Sequence, residues 1–290
     1  MDIAGVNVSI PFAFADEPLF QQPARDSAPI IGSDLSDRRV TISLCLNGAN
    51  SMYESVRLEL ARLQSFSGGG FTGFFVPVSV KVKNIGFSKH VAIHYTVDGY
   101  TWKDLPLAFS SHFGDYDIFN GTVNERVAQF VIRYSVGGET FFDNNSGQNY
   151  RFGPNLAIVG GNVMLNNAVA KRGNQAGGGF VFNTSWLEGE ILVNDLSFIK
   201  DVGIRLSADG GINWYDTHAY FSGSNASNNI FVGTGAEVWK FKAPELNLDN
   251  SSPEFKFAVF YRNHYSTTLF WDNNFGQDYK VSKTDGTTIG

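Results

Sequence analysis

Ten residues near the middle of the chain, 142–151 (FDNNSGQNYR), recur near its end as 271–280 (WDNNFGQDYK). The repeat extends far upstream of this motif. Residues 84–95 (NIGFSKHVAIHY) match 195–206 (DLSFIKDVGIRL) without a gap, and each stretch runs into an Asp-Gly pair followed by tryptophan: Asp98, Gly99 and Trp102 against Asp209, Gly210 and Trp214. Earlier still, VRLELARLQ from Val56 matches VMLNNAVAK from Val163, and each is followed by three glycines and a phenylalanine. A period of about a hundred residues signals two whole domains in series, not a solenoid of short repeats. A chain of 290 residues has room for both. The expected organisation is a lead-in over 1–55, a first domain over 56–153 and a second over 163–283, with extra residues of the second copy mostly within 222–235. The connecting GPNLAIVGGN (153–162) is short and apolar, and is expected to pack down and fix the orientation of the domains.

The periodicity inside each copy is that of strands. FFVPVSVKVKN (74–84) alternates Val76, Val78, Val80 and Val82 with smaller or charged residues, and AQFVIRYSV (128–136) and KFAVFY (256–261) repeat the period of two. Many short strands in about 100 residues predict an all-β fold of antiparallel sandwiches. SVRLELARLQSF also fits an amphipathic helix through Val56, Leu60 and Leu63. Its counterpart carries Asn166 and Asn167, poor helix formers, so the strand is preferred. In the lead-in, Pro11, Pro18, Pro23 and Pro29 suggest an extended or partly disordered segment, and RRVTISLCL (38–46) one further strand.

The repeated motif combines aromatic rings with neutral amides, which is the equipment for holding a sugar. One face of a pyranose ring is a patch of slightly positive C–H groups, and the negative π-face of an aromatic stacks on it while both shed water. Adjacent sugar hydroxyls offer a donor beside an acceptor, which an asparagine amide matches with its NH2 and C=O. The candidate platforms are Trp102 with Phe142, and Trp214 with Trp271; the candidate polar contacts are Asn144, Asn145, Asn149, Asn273 and Asn274. Asp143 and Asp272 read first as turn residues that accept backbone N–H groups, and only second as ligand contacts.

Other functions fit poorly. The formal charge of −6, without a basic cluster, argues against nucleic acid or an anionic membrane surface as partner. No apolar run reaches the ~20 residues a bilayer requires. A glycosidase needs two carboxylates about a scissile bond, and the motif supplies one acid per copy among amides. The five histidines fall at non-equivalent positions with no metal-ligand spacing, and DNNSG lacks the alternating acids and closing glutamate of a calcium loop, so neither metal nor cofactor is expected. Cys45 is alone, which excludes an internal disulfide and leans toward a reducing compartment. A cytoplasmic location is the expectation and secretion the alternative, since the start lacks a basic n-region and Pro11 breaks its apolar segment.

The order N-[IL]-x-F-x-K-x-V, then D-G-x(2,3)-W, then [FW]-D-N-N-x-G-x-[ND]-Y resembles the starch- and glycogen-binding modules of carbohydrate-binding family 21, found in fungal glucoamylases and in glycogen-targeting subunits of type-1 protein phosphatase. The resemblance covers both copies and implies two immunoglobulin-like β-sandwiches in tandem that bind α-1,4-glucan without performing chemistry. Carried over by position, it implies a main site of Trp102, Phe142, Asn144 and Asn149, and of Trp214, Trp271 and Asn273. It further implies a flatter site at Phe87 and Lys89, and at Phe198 and Lys200, although the apolar flanks of both phenylalanines favour core packing. Asp278 stands where the first copy has Asn149, turning a contact into an acceptor only. In the targeting subunits a basic-hydrophobic segment precedes the sugar module and docks the phosphatase. Arg38, Arg39, Val40, Thr41 and Ile42 vaguely resemble it, but Ile42 replaces an expected aromatic and a plain strand is preferred.

Overall fold

The computed structural model describes residues 54–290 apart from 178, 227–233, 245, 248–251, 266–267 and 285, and the described residues belong to one compact unit. The lead-in before Glu54, with Cys45 and segment 38–42, lies outside them. Within them the fold is all-β, and every strand pairing is antiparallel.

The first copy forms β1 (Val56–Arg62), β2 (Gln64–Gly68), β3 (Phe71–Lys83), β4 (Lys89–Thr96), β5 (Trp102–Pro106), β6 (Ala108–His112), β7 (Tyr116–Val123), β8 (Gln129–Val136), β9 (Glu139–Asp143) and β10 (Ala157–Val159). One sheet has the order β10-β1-β3-β7-β6, with β2 beside β3, and the other has β5-β4-β8-β9. The segment VRLELAR is therefore a strand. The alternation in β3 sends Val76, Val78, Val80 and Val82 inward, where Ile93, Phe130, Ile132 and Tyr134 of the facing sheet meet them.

The second copy forms β11 (Val163–Gly177), β12 (Phe180–Asn194), β13 (Lys200–Ser207), β14 (Tyr215–His218), β15 (Tyr220–Gly223), β16 (Ala236–Lys242), β17 (Leu246–Asn247), β18 (Glu254–Asn263), β19 (Leu269–Asp272), β20 (Tyr279–Ser282) and β21 (Thr288–Ile289). Its sheets run β15-β16-β12-β11-β21, with β17 on β12, and β14-β13-β18-β19, with β20 on β18. The series β6-β7-β3-β1 and β15-β16-β12-β11 are the same path, so the duplication seen in sequence is a duplication of strand order.

The two sandwiches share buried surface. Tyr116 and Ile118, on the side of β7 turned away from its own core, join the second core beside Leu165, Phe257 and Tyr279. The connecting segment adds β10 to the edge of β1, and Leu60, Val159, Met164, Leu192 and Val238 close an apolar seam there. Lys81 alternates with the inward valines and so faces out of its own sandwich, yet it is only 1% exposed because the second copy covers it. Among the described residues no helix is long and apolar enough to cross a membrane.

Candidate functional site

Trp102 and Trp214 are each set by an Asp-Gly turn. Asp98 Oδ1 accepts from the Thr96 hydroxyl and from the backbone N–H groups of Tyr100 and Thr101 at 2.7–2.9 Å. Asp209 does the same for Ser207, Ile212 and Asn213. These bonds, the backbone ones foremost, hold both carboxyls well below the usual carboxylate range. The turn delivers Trp102 to the start of β5, paired with Thr96, and Trp214 to the residue before β14. Both rings then lie on the outer face of their sheet. Trp102 is half-buried, Trp214 is 40% exposed and donates Nε1–H to the Gly211 carbonyl at 3.0 Å, Phe142 is 49% exposed, and Trp271 is half-buried.

The two motif loops repeat one another bond for bond. Asn144 Oδ1 accepts from Gly147 N at 2.9 Å, and Asn273 Oδ1 from Gly276 N at 3.0 Å. Asn145 Nδ2 donates to the Asn149 carbonyl and Asn274 Nδ2 to the Asp278 carbonyl, both at 3.3 Å. Asn145, Ser146 and Asn149, and likewise Asn274, Phe275 and Asp278, have φ between +51 and +57°. Left-handed backbone of this kind favours Asn, Asp and Gly, so part of the amide richness serves the loop itself.

In the second copy the platforms and loop enclose an open cleft of about 590 Å³. Trp214, Trp271, Asn273 and Asp278 line it, together with Tyr215, Ala258, Arg205 and Asp216. The Arg205 guanidinium lies 5.3 Å from the Trp271 ring centroid and bonds both oxygens of Asp216 at 2.7 and 2.9 Å. Burial pushes the Asp278 carboxyl above its ordinary value, against the pull of Lys256 and Lys280. In the first copy the position of Arg205 is held by His94, whose ring stacks on Trp102 at 4.8 Å and whose Nδ1 lies 2.7 Å from Asp104. Asn149 Nδ2 donates to Gln129 Oε1 at 3.3 Å. His94 and Arg205 escaped the sequence reading, although the ungapped match of 84–95 with 195–206 sets them opposite one another after Ile93 and Ile204. So did Tyr100 and Ile212 at the turn tips, 88% and 78% exposed, and the equivalent Phe109 and Phe221 on the edge strands.

Several expectations need correction. Asp272 is fully buried and Asn274 is 3% exposed, so neither reaches a ligand. Asp143 is half-buried and its oxygens accept from Leu58 N at 2.7 Å and the Tyr150 hydroxyl at 2.8 Å, the structural role that the sequence puts first, so the ligand contact is the part to be corrected. Phe87 and Phe198 are not core residues. Each stands at the tip of a loop, 104% and 94% exposed. Lys89 and Lys200 do not offer their amines to a ligand: Lys89 is spent on Asn84 at 2.8 Å and Asp117 at 2.7 Å, Lys200 on Asp195 at 2.6 Å and Glu237 at 3.0 Å. Those bonds brace the loops that carry the phenylalanines. Among the described residues there is no cluster of His, Cys, Asp and Glu able to hold a metal ion.

Rings and amides on the open face of an antiparallel sandwich make the class plain: these are carbohydrate-binding β-sandwich modules. The family model described as Carbohydrate/starch-binding module (family 21) matches residues 53–153 and 174–282, and the chain belongs to that family. It is 31% identical over 114 residues to Protein phosphatase 1 regulatory subunit 3B of Danio rerio, covering 35% of this chain and 34% of the relative. It is 29% identical over 97 residues to Glucoamylase 1 of Rhizopus oryzae, covering 30% and 15%. The chain thus spans about a third or less of these relatives. A solved starch-binding domain of the Rhizopus oryzae glucoamylase, in complex with β-cyclodextrin and maltoheptaose, is 28% identical over 32% of this chain and 92% of that one, with a TM-score of 0.24.

Proposed function

We propose that the chain binds α-1,4-glucan, starch or glycogen, without catalysis, through one site in each copy. The observation that carries this reading is the cleft in which Trp214 and Trp271 stand beside Asn273 and Asp278. By position in the repeat its counterpart is Trp102 and Phe142 with Asn144 and Asn149. Stacking on an indole contributes about 1 kcal/mol beyond area burial, so a single exposed site binds weakly. Two sites on one body raise the effective concentration for a long polymer, and avidity exceeds either site by ~100-fold where both engage. Phe87 and Phe198 supply a further exposed ring on each copy. Affinity electrophoresis in gels containing glycogen, amylose, β-glucan or dextran tests the reading: the chain is retarded by the first two, the Trp102→Ala variant less so, and Trp102→Ala with Trp214→Ala hardly at all. Undiminished retardation of the double variant overturns the site assignment.

A second reading rests on the likeness to phosphatase regulatory subunits: the chain brings a type-1 phosphatase catalytic subunit to glycogen. Residues 38–42 are the segment that this second reading would use, although a plain strand is preferred for them on sequence. Capture of the phosphatase in a pull-down, lost on Arg39→Ala with Val40→Ala, is the expected result; no capture removes this reading and leaves glucan binding intact.

A further inference from the structure

The two motif loops make the same internal bonds, but among the described residues only the second is gripped from outside its own sandwich. Arg57 on β1 and Lys81 on β3 are paired across the strands of the first copy and face away from its core, at 8% and 1% exposure. Lys81 Nζ donates to the two carboxylate oxygens of Asp272 at 3.1 and 3.4 Å and to the Tyr279 hydroxyl. Arg57 Nη1 lies 3.1 Å from Asp272 Oδ1 and donates to the main-chain carbonyl of Trp271 at 3.4 Å. Its Nη2 holds the carbonyls of Gly160, at 2.9 Å, and of Val163. Phe275 completes the contact, 7% exposed, with the ammonium groups of Lys81 and Lys83 at 5.7 and 5.6 Å from its ring. The first copy has an exposed serine there, Ser146, and among the described residues its Asp143 has no ion pair.

Asp272 is the residue between Trp271 and Asn273, and both of those line the cleft. A carboxylate held by two cations, a backbone N–H and a phenol cannot shift without dragging the platform ring and the amide beside it. Arg57 and Lys81 do not line the cleft themselves. We infer that Arg57 and Lys81 are positioning residues for the second copy's sugar site: the first sandwich fixes Trp271 and Asn273 by clamping the residue between them. The inference rests on the glucan-binding reading. It makes the second site dependent on the first copy, whereas among the described residues the first motif loop has no equivalent ion pair to the second copy.

The location of the two cations gives the test its discrimination. Both belong to the sheet of the first copy, so a merely structural role is felt first at the first copy's own site. Lys81→Met and, as a milder change, Arg57→Gln are placed in the full chain carrying Trp102→Ala, which reports the second site, and in the chain carrying Trp214→Ala, which reports the first. Maltoheptaose affinity is measured by calorimetry, and the sugar-induced change in tryptophan emission is followed in parallel. The expected result is a loss of about tenfold at the second site, with a weakened emission change, and less than about twofold at the first. Equal loss at both sites, or undiminished affinity at the second, overturns the inference alone. Failure of the unsubstituted chain to bind maltoheptaose overturns the glucan reading and the inference with it.

Discussion

Asp143 and Asp272 occupy the same place in the same ten-residue motif, accept the same bonds from the first strand of their sandwich and from the motif tyrosine, and yet titrate in opposite directions. At Asp143 burial dominates and raises the carboxyl, against the bonds from Leu58 N–H and the Tyr150 hydroxyl. At Asp272 burial is again the largest cause, but Lys81, Arg57 and the bonds from Leu165 N–H and the Tyr279 hydroxyl together outweigh it and hold the carboxyl well below the usual range. The local sequence builds one loop twice; the neighbouring sandwich decides what charge that loop can carry. A duplicated module therefore need not be two equal modules, because the second copy was given a surface to dock on.

Removing the carboxylates should separate the copies most sharply. Asp272→Ala leaves Lys81 and Arg57 buried without their counter-charge and is expected to cost about 3–5 kcal/mol. Asp143→Ala removes hydrogen bonds but strands no buried ion pair, and about 1–3 kcal/mol is expected. Urea denaturation of the full chain measures both, and equal costs would erase the distinction. Next comes Phe275→Ser, which gives the second loop the first loop's residue: losing a buried ring from the seam is expected to cost about 3 kcal/mol. The reverse change, Ser146→Phe, adds a ring to an exposed position and should leave stability within about 0.5 kcal/mol.

Acid should also tell the copies apart. Asp272 has a depressed folded pKa, so its stabilisation is full above the unfolded value of about 3.9 and is lost as pH falls below that through the folded value. Asp143 has a raised one: its neutral form is favoured in the fold, and the contribution present below about pH 3.9 is lost as pH rises through the folded value. Between pH 2 and 4 the unfolding free energy should therefore climb less steeply in Asp272→Asn than in the parent, and more steeply just above pH 4 in Asp143→Asn. Parallel curves would mean that neither partner set matters.

The duplication, the strands and the rings were legible in the sequence because they depend on short-range periodicity and on residue type. The clamp on the second loop escaped it because that depends on the neighbouring sandwich. Lys81 alternates with inward valines as any solvent-facing lysine of a strand does, and nothing within ten residues of it announces Asp272. The placement of Phe87 and Phe198 failed for a related reason: apolar neighbours such as Ile85, Leu196 and Ile199 suggested burial, whereas these neighbours are themselves exposed on the loop. The lysines two residues further on invite a reading as ligand contacts, but with an acid within reach on a strand of the facing sheet an ion pair forms first. The amides of the motif serve two purposes, turning the backbone and facing the cleft, and a sequence shows only their sum.

The smallest difference between the copies is one atom pair, the amide of Asn149 against the carboxyl of Asp278. When ionised, Asp278 can only accept, so a sugar hydroxyl facing it must donate; when protonated it recovers a donor and behaves as the amide does. Because burial raises its pKa, that recovery begins at a milder acidity than for an ordinary aspartate. In the chain carrying Trp102→Ala, maltoheptaose affinity should rise as pH falls from 7 toward 4. Adding Asp278→Asn should flatten this dependence and gain about 1 kcal/mol at pH 7, one neutral hydrogen bond's worth. If the substitution leaves calorimetric affinity at pH 7 unchanged, Asp278 lines the cleft without touching the sugar, and the two copies differ in their support and not in their contacts.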